Sequence, residues 1–169
     1  TLLTCAPRCR SADYRVEQSV RADKIDTRYD GTTAIQGQDL FFRGIVRDEG
    51  RALGALSAEI ATFLESEAGN GQLKTERMIL AKALTDVGEI VAQMVGDLQS
   101  SVPMMPESDP RNVYKVGQNT TRLLMGLGDV ICGWLLLRGA EVALDRLNGE
   151  LTEADQHFYE GKVASARWF

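Results

Sequence analysis

Cysteine and histidine are scarce in this sequence. Its 169 residues include three cysteines, at positions 5, 9 and 132, and one histidine, at position 157. An odd number of cysteines without a Cys-x-x-Cys pair indicates neither a disulfide framework nor a zinc site. We therefore expect no bound metal, and the composition suits the reducing environment of the cytoplasm.

Excess positive charge and long apolar runs are absent as well. The chain has 19 Lys and Arg residues against 24 Asp and Glu residues, for a formal net charge of -5. Because the basic residues are interspersed with acidic ones, no nucleic-acid partner is indicated. The longest apolar stretch, residues 123–137, contains Asp129 and is shorter than the roughly 20 residues that a membrane-spanning helix needs. It predicts a buried helix, and we expect no membrane span.

Apolar residues make up 44% of the chain, which is enough to build a core. They recur every three or four residues, a spacing typical of helices that bury one face. The predicted helices cover residues 14–25, 35–64, 73–98, 110–147 and 152–169. The second is either one long helix or a twice-broken one, because glycines weaken it. Since no segment requires a strand, the sequence predicts an all-α fold, a helical bundle of about four to five helices.

Turn-forming and capping residues separate the predicted helices. Gly69 and Gly71 flank Asn70, and these three residues should end the second helix. Asp109 followed by Pro110 is a typical cap and first position of a helix. Thr152, with Asp155 three residues later, approximates a capping box. These signals predict where the third, fourth and fifth helices begin.

Residues 24–39 contain a candidate ligand-binding loop. Asp30 lies beside the flexible Gly31, and the hydroxyls of Thr32 and Thr33 follow at a predicted helix start. Exposed backbone N–H groups at such a start can hold an anionic or polar ligand. A helix cap without any catalytic role produces the same pattern, so the residue types alone leave both interpretations open.

The same loop resembles the segment of acyl-CoA dehydrogenases in which a Tyr-Glu-Gly-Thr motif supplies the catalytic base; here the motif reads Tyr29-Asp30-Gly31-Thr32. The resemblance extends over residues 13–26 and 38–48. Residues 112–121 and 128–147 are similar to the extra helical region of the longer, bacterial-type members. The resemblance implies that residues 1–70 end the family's carboxy-terminal helical domain and that residues 71–169 form a helical extension.

This resemblance implies an enzyme, or part of one, that catalyses the FAD-dependent α,β-dehydrogenation of an acyl-CoA thioester in fatty-acid oxidation. Asp30 occupies the position of the base that removes the α-proton. Gly31 would lie against the thioester, while Thr32, Thr33 and Ala34 would touch FAD. Acyl-CoA is the implied substrate, and the implied protein partners are further copies of the chain or other acyl-CoA dehydrogenase chains.

Three features depart from the family's pattern. The base is usually Glu, and Asp30 withdraws the carboxylate by one C–C bond, about 1.5 Å. A Gly-rich, flavin-contacting segment is replaced by Ala-Pro-Arg-Cys at residues 6–9. The helical and β-rich domains that hold most of the flavin have no counterpart. We therefore expect the isolated chain to be inactive and to retain no FAD, and the alternative is a non-catalytic helical interaction module derived from the family.

Other polar and aromatic positions allow competing interpretations. Asp129, inside an apolar run, is either a buried functional carboxylate or, as we favour, a structural partner of an arginine such as Arg122. Trp134 and Met125 fit the core stripe of the long helix. Arg43, Arg47 and Arg51 recur every four residues and could form a basic ridge that faces a phosphate group. Alternatively, Asp39 and Asp48 partly neutralise the charge of these arginines.

Overall fold

A computed structural model describes residues 31–66, 71–103 and 108–169. Within these ranges the backbone forms five α-helices, one π-helical segment and no strand. The helices are α1 (Thr33–Asp39), which continues as the π-helical segment Leu40–Val46, then α2 (Arg51–Glu65), α3 (Lys74–Ser100), α4 (Asn112–Leu147) and α5 (Glu153–Trp168). The predicted all-α bundle is confirmed. Asp30 and the predicted helix at residues 14–25 lie outside the described residues.

The predicted run at residues 35–64 is a broken helix. Beyond α1 the hydrogen bonds widen to a five-residue spacing, since the Arg47 N–H donates to the Phe42 carbonyl at 3.1 Å. Glu49 and Gly50 then adopt positive φ angles of 56° and 72°. Gly50 adopts this backbone at little steric cost, and it turns the chain into α2. The glycine-weakened run is thus divided by one turn at residues 47–50, so it is broken once rather than twice.

Helix α4 is the centre of the bundle and packs against α1, α3 and α5. Its buried positions recur every three or four residues, and they are Val116, Thr120, Leu123, Leu127, Val130, Trp134, Leu137, Ala140, Ala143 and Leu144. Trp134 is therefore a core residue, as predicted. Met125 is not, because it is 56% exposed. Its position two residues from Leu123 and Leu127 points it away from the core, since each residue advances a helix by about 100°.

Helix α4 is also long and apolar enough to cross a membrane, judged by length and composition alone. It has 36 residues, and the mean hydropathy of its most apolar window is 1.5. The central helix of an ordinary bundle has the same properties. Because α4 buries its core stripe against α3 and α5, its composition does not establish a membrane span.

The α4 amino terminus differs slightly from the prediction. The Asp109 carboxylate accepts the Arg111 N–H at 2.9 Å, but this hydrogen bond closes a turn before the helix, and no side chain caps α4 itself. The helix begins at Asn112 rather than at Pro110, however, since Pro110 and Arg111 form a turn. Hydrogen bonds from the Arg111 guanidinium hold the pKa of Asp109 below its usual value. The fixed φ of Pro110 suits this turn as well as it suits a helix.

The predicted cap of α5 is confirmed. The Thr152 side-chain oxygen accepts the Asp155 N–H at 3.2 Å, and the same hydroxyl donates to the Asp155 carboxylate at 2.8 Å. Thr152 has an extended backbone, with φ -71° and ψ 157°. These contacts satisfy one of the otherwise unpaired N–H groups of the first turn.

Arg77 ties α2, α3 and α4 together at one end of the bundle. Its guanidinium donates to the Ser66 carbonyl after α2, and it lies 4.8 Å from the centre of the Phe63 ring. It is also 3.7 Å from the Glu141 carboxylate of α4, with 10% of the Arg77 side chain exposed. Helices from both sides of the predicted boundary at residue 70 thus share one core, while the division into two domains stays a prediction.

Candidate loop and helix start

The candidate site residues lie where the chain enters α1. Gly31 has a φ of 28°, and Thr32 is the extended residue before the helix. Thr33 and Ala34 occupy the first turn. The first helical hydrogen bond runs from the Gln36 N–H to the Thr32 carbonyl at 3.0 Å. The structure therefore brings these four predicted residues together, whereas Asp30, the predicted base, lies outside the described residues.

All four of these residues are exposed to solvent. The Thr32 side chain makes no capping hydrogen bond to α1. The backbone N–H groups of the first turn precede the first helical hydrogen bond, as at any helix start. The site therefore presents polar donors on an open surface. A catalytic carboxylate needs a partly dry pocket to raise its pKa, and these residues do not enclose one.

A close approach between α1 and α4 fixes the position of this loop. Gly37 is buried, and a Cβ at its position would lie 2.8 Å from the Thr120 carbonyl oxygen and 3.1 Å from the Thr121 nitrogen. Thr120 is itself 1% exposed, and its hydroxyl donates to the Gly117 carbonyl at 3.1 Å. Only glycine allows two backbones to approach so closely. Sequence reasoning missed this pair, although an isolated glycine in a helical pattern is a signal for close packing.

An open groove lies beside the same helix crossing. Its volume is about 410 Å³, and it separates the π-helical segment from the start of α4. Its lining residues are Gln38, Phe42, Val113, Tyr114, Gly117 and Gln118. They are uncharged, and Phe42 and Tyr114 are 38% and 69% exposed. The groove therefore places apolar surface near the candidate loop without enclosing it.

The basic ridge after α1 is partly neutralised, as one of the two alternatives predicted. Arg43 forms an ion pair with Asp39 at 2.7 Å. Arg51 lies 3.8 Å from the Asp48 carboxylate and also donates to the Asp48 carbonyl at 3.1 Å. Both arginine side chains are more than two-thirds exposed, at 70% and 76%. The ridge thus consists of local surface pairs rather than of an assembled phosphate site.

Asp129 is not a buried carboxylate. It is exposed on α4, so neither the functional nor the structural interpretation of a buried charge applies. No ion pair with Arg122 is found among the described residues. The physical reason is again helical phase, because Asp129 lies one residue from the buried Val130, toward the outer side of the helix. His157 is likewise exposed, on α5.

Comparison with known proteins identifies the family. Residues 56–169 match the family model described as acetyl-CoA dehydrogenase C-terminal like. The chain belongs to the acyl-CoA dehydrogenase family. It is 52% identical over 157 residues to the broad-specificity linear acyl-CoA dehydrogenase FadE5 of Mycobacterium tuberculosis, an alignment that covers 93% of this chain and 25% of that protein.

Two more distant relatives cover the same range. A butyryl-CoA dehydrogenase of Syntrophomonas wolfei is 30% identical over 159 residues, which are 93% of this chain and 24% of that protein. A 3-methylmercaptopropionyl-CoA dehydrogenase of Ruegeria pomeroyi is 30% identical over 155 residues, which are 91% of this chain and 24% of that protein. The chain thus spans about a quarter of the length of these relatives. The family match includes most of α2 and all of α3, α4 and α5, and the candidate loop precedes it.

Proposed function

We propose that this chain is the carboxy-terminal part of a flavin-dependent acyl-CoA dehydrogenase and contributes the catalytic base to α,β-dehydrogenation of an acyl-CoA thioester. The observation that carries the proposal is the motif at residues 29–32, whose last residue, Thr32, directly precedes a helix held against α4 by the Gly37 approach. The 52% identity to an acyl-CoA dehydrogenase supports it. The family's chemistry suits a cytoplasmic enzyme of fatty-acid oxidation.

Asp30 is the proposed base. Its carboxylate would accept the α-proton of the thioester, while donors placed near the thioester carbonyl would stabilise the charge that develops on its oxygen. Gly31 has no side chain, which leaves room for the thioester beside the base. Its positive φ of 28° is a backbone conformation that side chains disfavour.

Thr32, Thr33 and Ala34 are the proposed flavin contacts. Their exposure, together with the free Thr32 side chain, leaves hydroxyl and N–H donors available to polar atoms of FAD. Bound FAD would supply the acceptor for the hydride that leaves the β-carbon. In this arrangement the chain's own residues position the substrate and remove the proton.

The isolated chain is proposed to be inactive. The four described site residues are exposed, and the curated relatives are about four times as long as the matched region. The remaining part of such an enzyme would have to enclose the base, the substrate and the flavin. We accordingly expect the purified chain to be colourless, and stoichiometric yellow FAD in the preparation would contradict this expectation.

The test of the proposal is a fusion enzyme. The remainder of an acyl-CoA dehydrogenase relative, chosen to carry the Gly-rich segment, would be joined upstream of this chain at residue 13. Flavin reduction by a saturated acyl-CoA would be measured in single turnovers, so that product release does not limit the rate. We expect Asp30→Asn to abolish most of the activity, because an amide cannot accept the proton. We expect Asp30→Glu to increase the rate roughly ten- to a hundredfold, because it restores the reach of the carboxylate.

A matched control keeps the fusion test specific. Asp39→Asn removes a carboxylate from the other end of α1, where Asp39 pairs with Arg43 on the surface. It should leave the rate of flavin reduction unchanged. Equal rates for Asp, Glu and Asn at position 30 would show that the base lies elsewhere and would remove the catalytic assignment.

A non-catalytic helical interaction module is the second candidate. The shortened base at Asp30 and the exposure of residues 31–34 favour it. If this candidate is correct, the fusion should fold and bind FAD. Its rate of flavin reduction should then be the same with Asp and with Asn at position 30. An Asp30-dependent rate would exclude it, so the same fusion distinguishes the two functions.

A further inference from the structure

Gly37 is the one buried residue among the first ten that the structure describes, residues 31–40. The next buried side chains on this part of the chain are Phe41 and Ile45, at 0% and 4% exposure. On its own helix, the candidate loop is therefore attached to the bundle first through Gly37, which lies about 6 Å along α1 from Thr33. A displacement of α1 at Gly37 would move the loop with it.

The π-helical segment keeps Gly37, Phe41 and Ile45 on one side of the chain, where all three are buried. In an α-helix, residues four apart differ by about 40° around the axis, so a series at this spacing gradually turns away from its neighbour. A π-helical turn contains about one residue more than an α-helical turn, so it rotates residues four apart in the opposite sense. The change of helix type after Asp39 therefore cancels the drift and keeps Gly37 in line with the core side chains that follow it.

The surface opposite Gly37 is the backbone of α4, which yields less readily than the end of a flexible side chain. A Cβ at Gly37 would lie 2.8 Å from the Thr120 carbonyl oxygen and 2.9 Å from the Thr120 carbonyl carbon. Thr120 is 1% exposed within the longest helix of the bundle, so it is held on all sides. An ordinary carbon–oxygen contact is about 3.4 Å, so a methyl group at Gly37 would displace α1 by about 0.6 Å.

We propose that Gly37 is a positioning residue for the reaction, and that the α4 backbone at Thr120 is the surface that sets where the candidate loop lies in the complete enzyme. This inference rests on the proposed function, which assigns the base to Asp30, directly before Gly31. Gly37 is packed against α4, so it acts through α1. Because Thr120 lies within residues 56–169, the region that matches the family model contributes to the chemical step as well as to stability.

The fusion enzyme that tests the proposed function also tests this role. A base misplaced by about 1 Å can cost on the order of a hundredfold in rate, so a displacement of about 0.6 Å should cost roughly tenfold. Gly37→Ala should therefore lower the single-turnover rate of flavin reduction at saturating acyl-CoA about tenfold. The acyl-CoA concentration that gives half of this rate should change less than about twofold, because the base acts in the chemical step rather than in binding.

A double-mutant cycle separates displacement of the base from loss of stability. If Gly37→Ala moves the loop, the fold-change in rate that Asp30→Glu produces should differ at least about threefold between fusions with and without Gly37→Ala. A variant that acts only through stability multiplies the rates of both forms by the same factor. Equal fold-changes would therefore overturn the positioning role.

Matched variants control for the type of substitution and for stability. Gly44→Ala is the same substitution in the π-helical segment, where a Cβ meets only the end of the Leu40 side chain, at 3.6 Å. Ile60→Val shortens a fully buried side chain of α2 and so lowers stability without adding an atom against α4. Both variants should keep the rate within about twofold of the starting fusion. A tenfold loss in either would assign the effect to something other than the α1 position and would overturn the proposal.

Two measures keep the outcome decisive. Rates are expressed per bound FAD, so that an unfolded fraction does not contribute. If Gly37→Ala alone does not fold, it is combined with Gly54→Ala, which adds a methyl group in open space on α2 and favours the helix. An unchanged rate with Gly37→Ala, in a fusion whose rate depends on Asp30, would overturn this inference and leave the proposed function in place. Equal rates with Asp and with Asn at position 30 would overturn both.

Discussion

The core around α4 and the candidate loop before α1 are held in opposite ways. In the core, α4 contacts α1, α3 and α5 at once and buries ten of its residues. The loop is attached through one glycine crossing, and its four described site residues are all exposed. Stability therefore concentrates in the helical extension, whereas the residues proposed for chemistry lie at its edge. The described helices share one core, and the four described site residues are exposed outside it.

The largest expected effect tests the core against the loop. Leu123→Ala removes a side chain that is 0% exposed and should lower the free energy of unfolding by about 3 kcal/mol, through lost burial and a residual cavity. Thr33→Ala changes an exposed residue at the start of α1 and should cost less than about 0.5 kcal/mol. Urea denaturation followed by circular dichroism would measure both. Similar costs would mean that the loop is part of the core.

The next prediction contrasts a partly buried ion pair with a surface one. Arg77→Met should destabilise the fold by about 2–3 kcal/mol, because the partly buried Glu141 carboxylate and the Ser66 carbonyl lose the buried guanidinium that joins them. Arg43→Met breaks the shorter pair with Asp39, 2.7 Å long but mostly exposed, and should cost less than about 1 kcal/mol. Chemical denaturation of the two variants is the measurement. A larger cost for Arg43→Met would show that distance outweighs burial here.

The glycine crossing gives the third prediction. Gly37→Ala should destabilise the protein by about 1–3 kcal/mol, since its Cβ would meet the rigid Thr120 backbone at 2.8 Å. Gly54→Ala, in α2, meets nothing within 4 Å and should instead stabilise by about 0.5–1 kcal/mol through helix propensity. Hydrogen exchange should also show α1 opening in Gly37→Ala. Stabilisation by both alanines would mean that the crossing is looser than 2.8 Å.

The smallest effect concerns the α5 cap. Thr152→Ala removes the side-chain oxygen that accepts the Asp155 N–H and should cost about 1 kcal/mol. Thr152→Ser keeps that acceptor and should cost a few tenths of a kcal/mol at most. Thermal unfolding would compare the two variants. An equal loss in both would assign the effect to the methyl group rather than to the hydrogen bond.

The helices could be predicted well because their signals are local. The spacing of Leu123, Leu127 and Trp134 follows from the helical repeat, and the Thr152 cap depends on residues three positions apart. Met125 and Asp129 were assigned wrongly because an apolar run does not state which of its sides a neighbour covers. The Gly37–Thr120 approach joins positions 83 residues apart, and periodicity contains no information about such a pair.

The candidate site was predictable through resemblance rather than through physics. Asp30 and Gly31 stand in a motif that resembles that of a known family, with Asp in place of Glu, and the comparisons confirm the family over most of the chain. Their catalytic roles remain proposals that the fusion test addresses. Nothing in the spacing of these residues distinguishes a base from a helix cap, since both place a carboxylate before a helix start.

By itself, the sequence determined the helical class, the positions of the α3, α4 and α5 helices and the family, because backbone propensity, apolar period and motif identity are properties of neighbouring residues. The tertiary structure alone decided which faces are covered. It placed Gly37 on the α4 backbone, surrounded Arg77 with partners from two other elements and left Leu135 and Val142 exposed. Burial depends on which elements meet in space, and distant residues meet only when the whole chain packs.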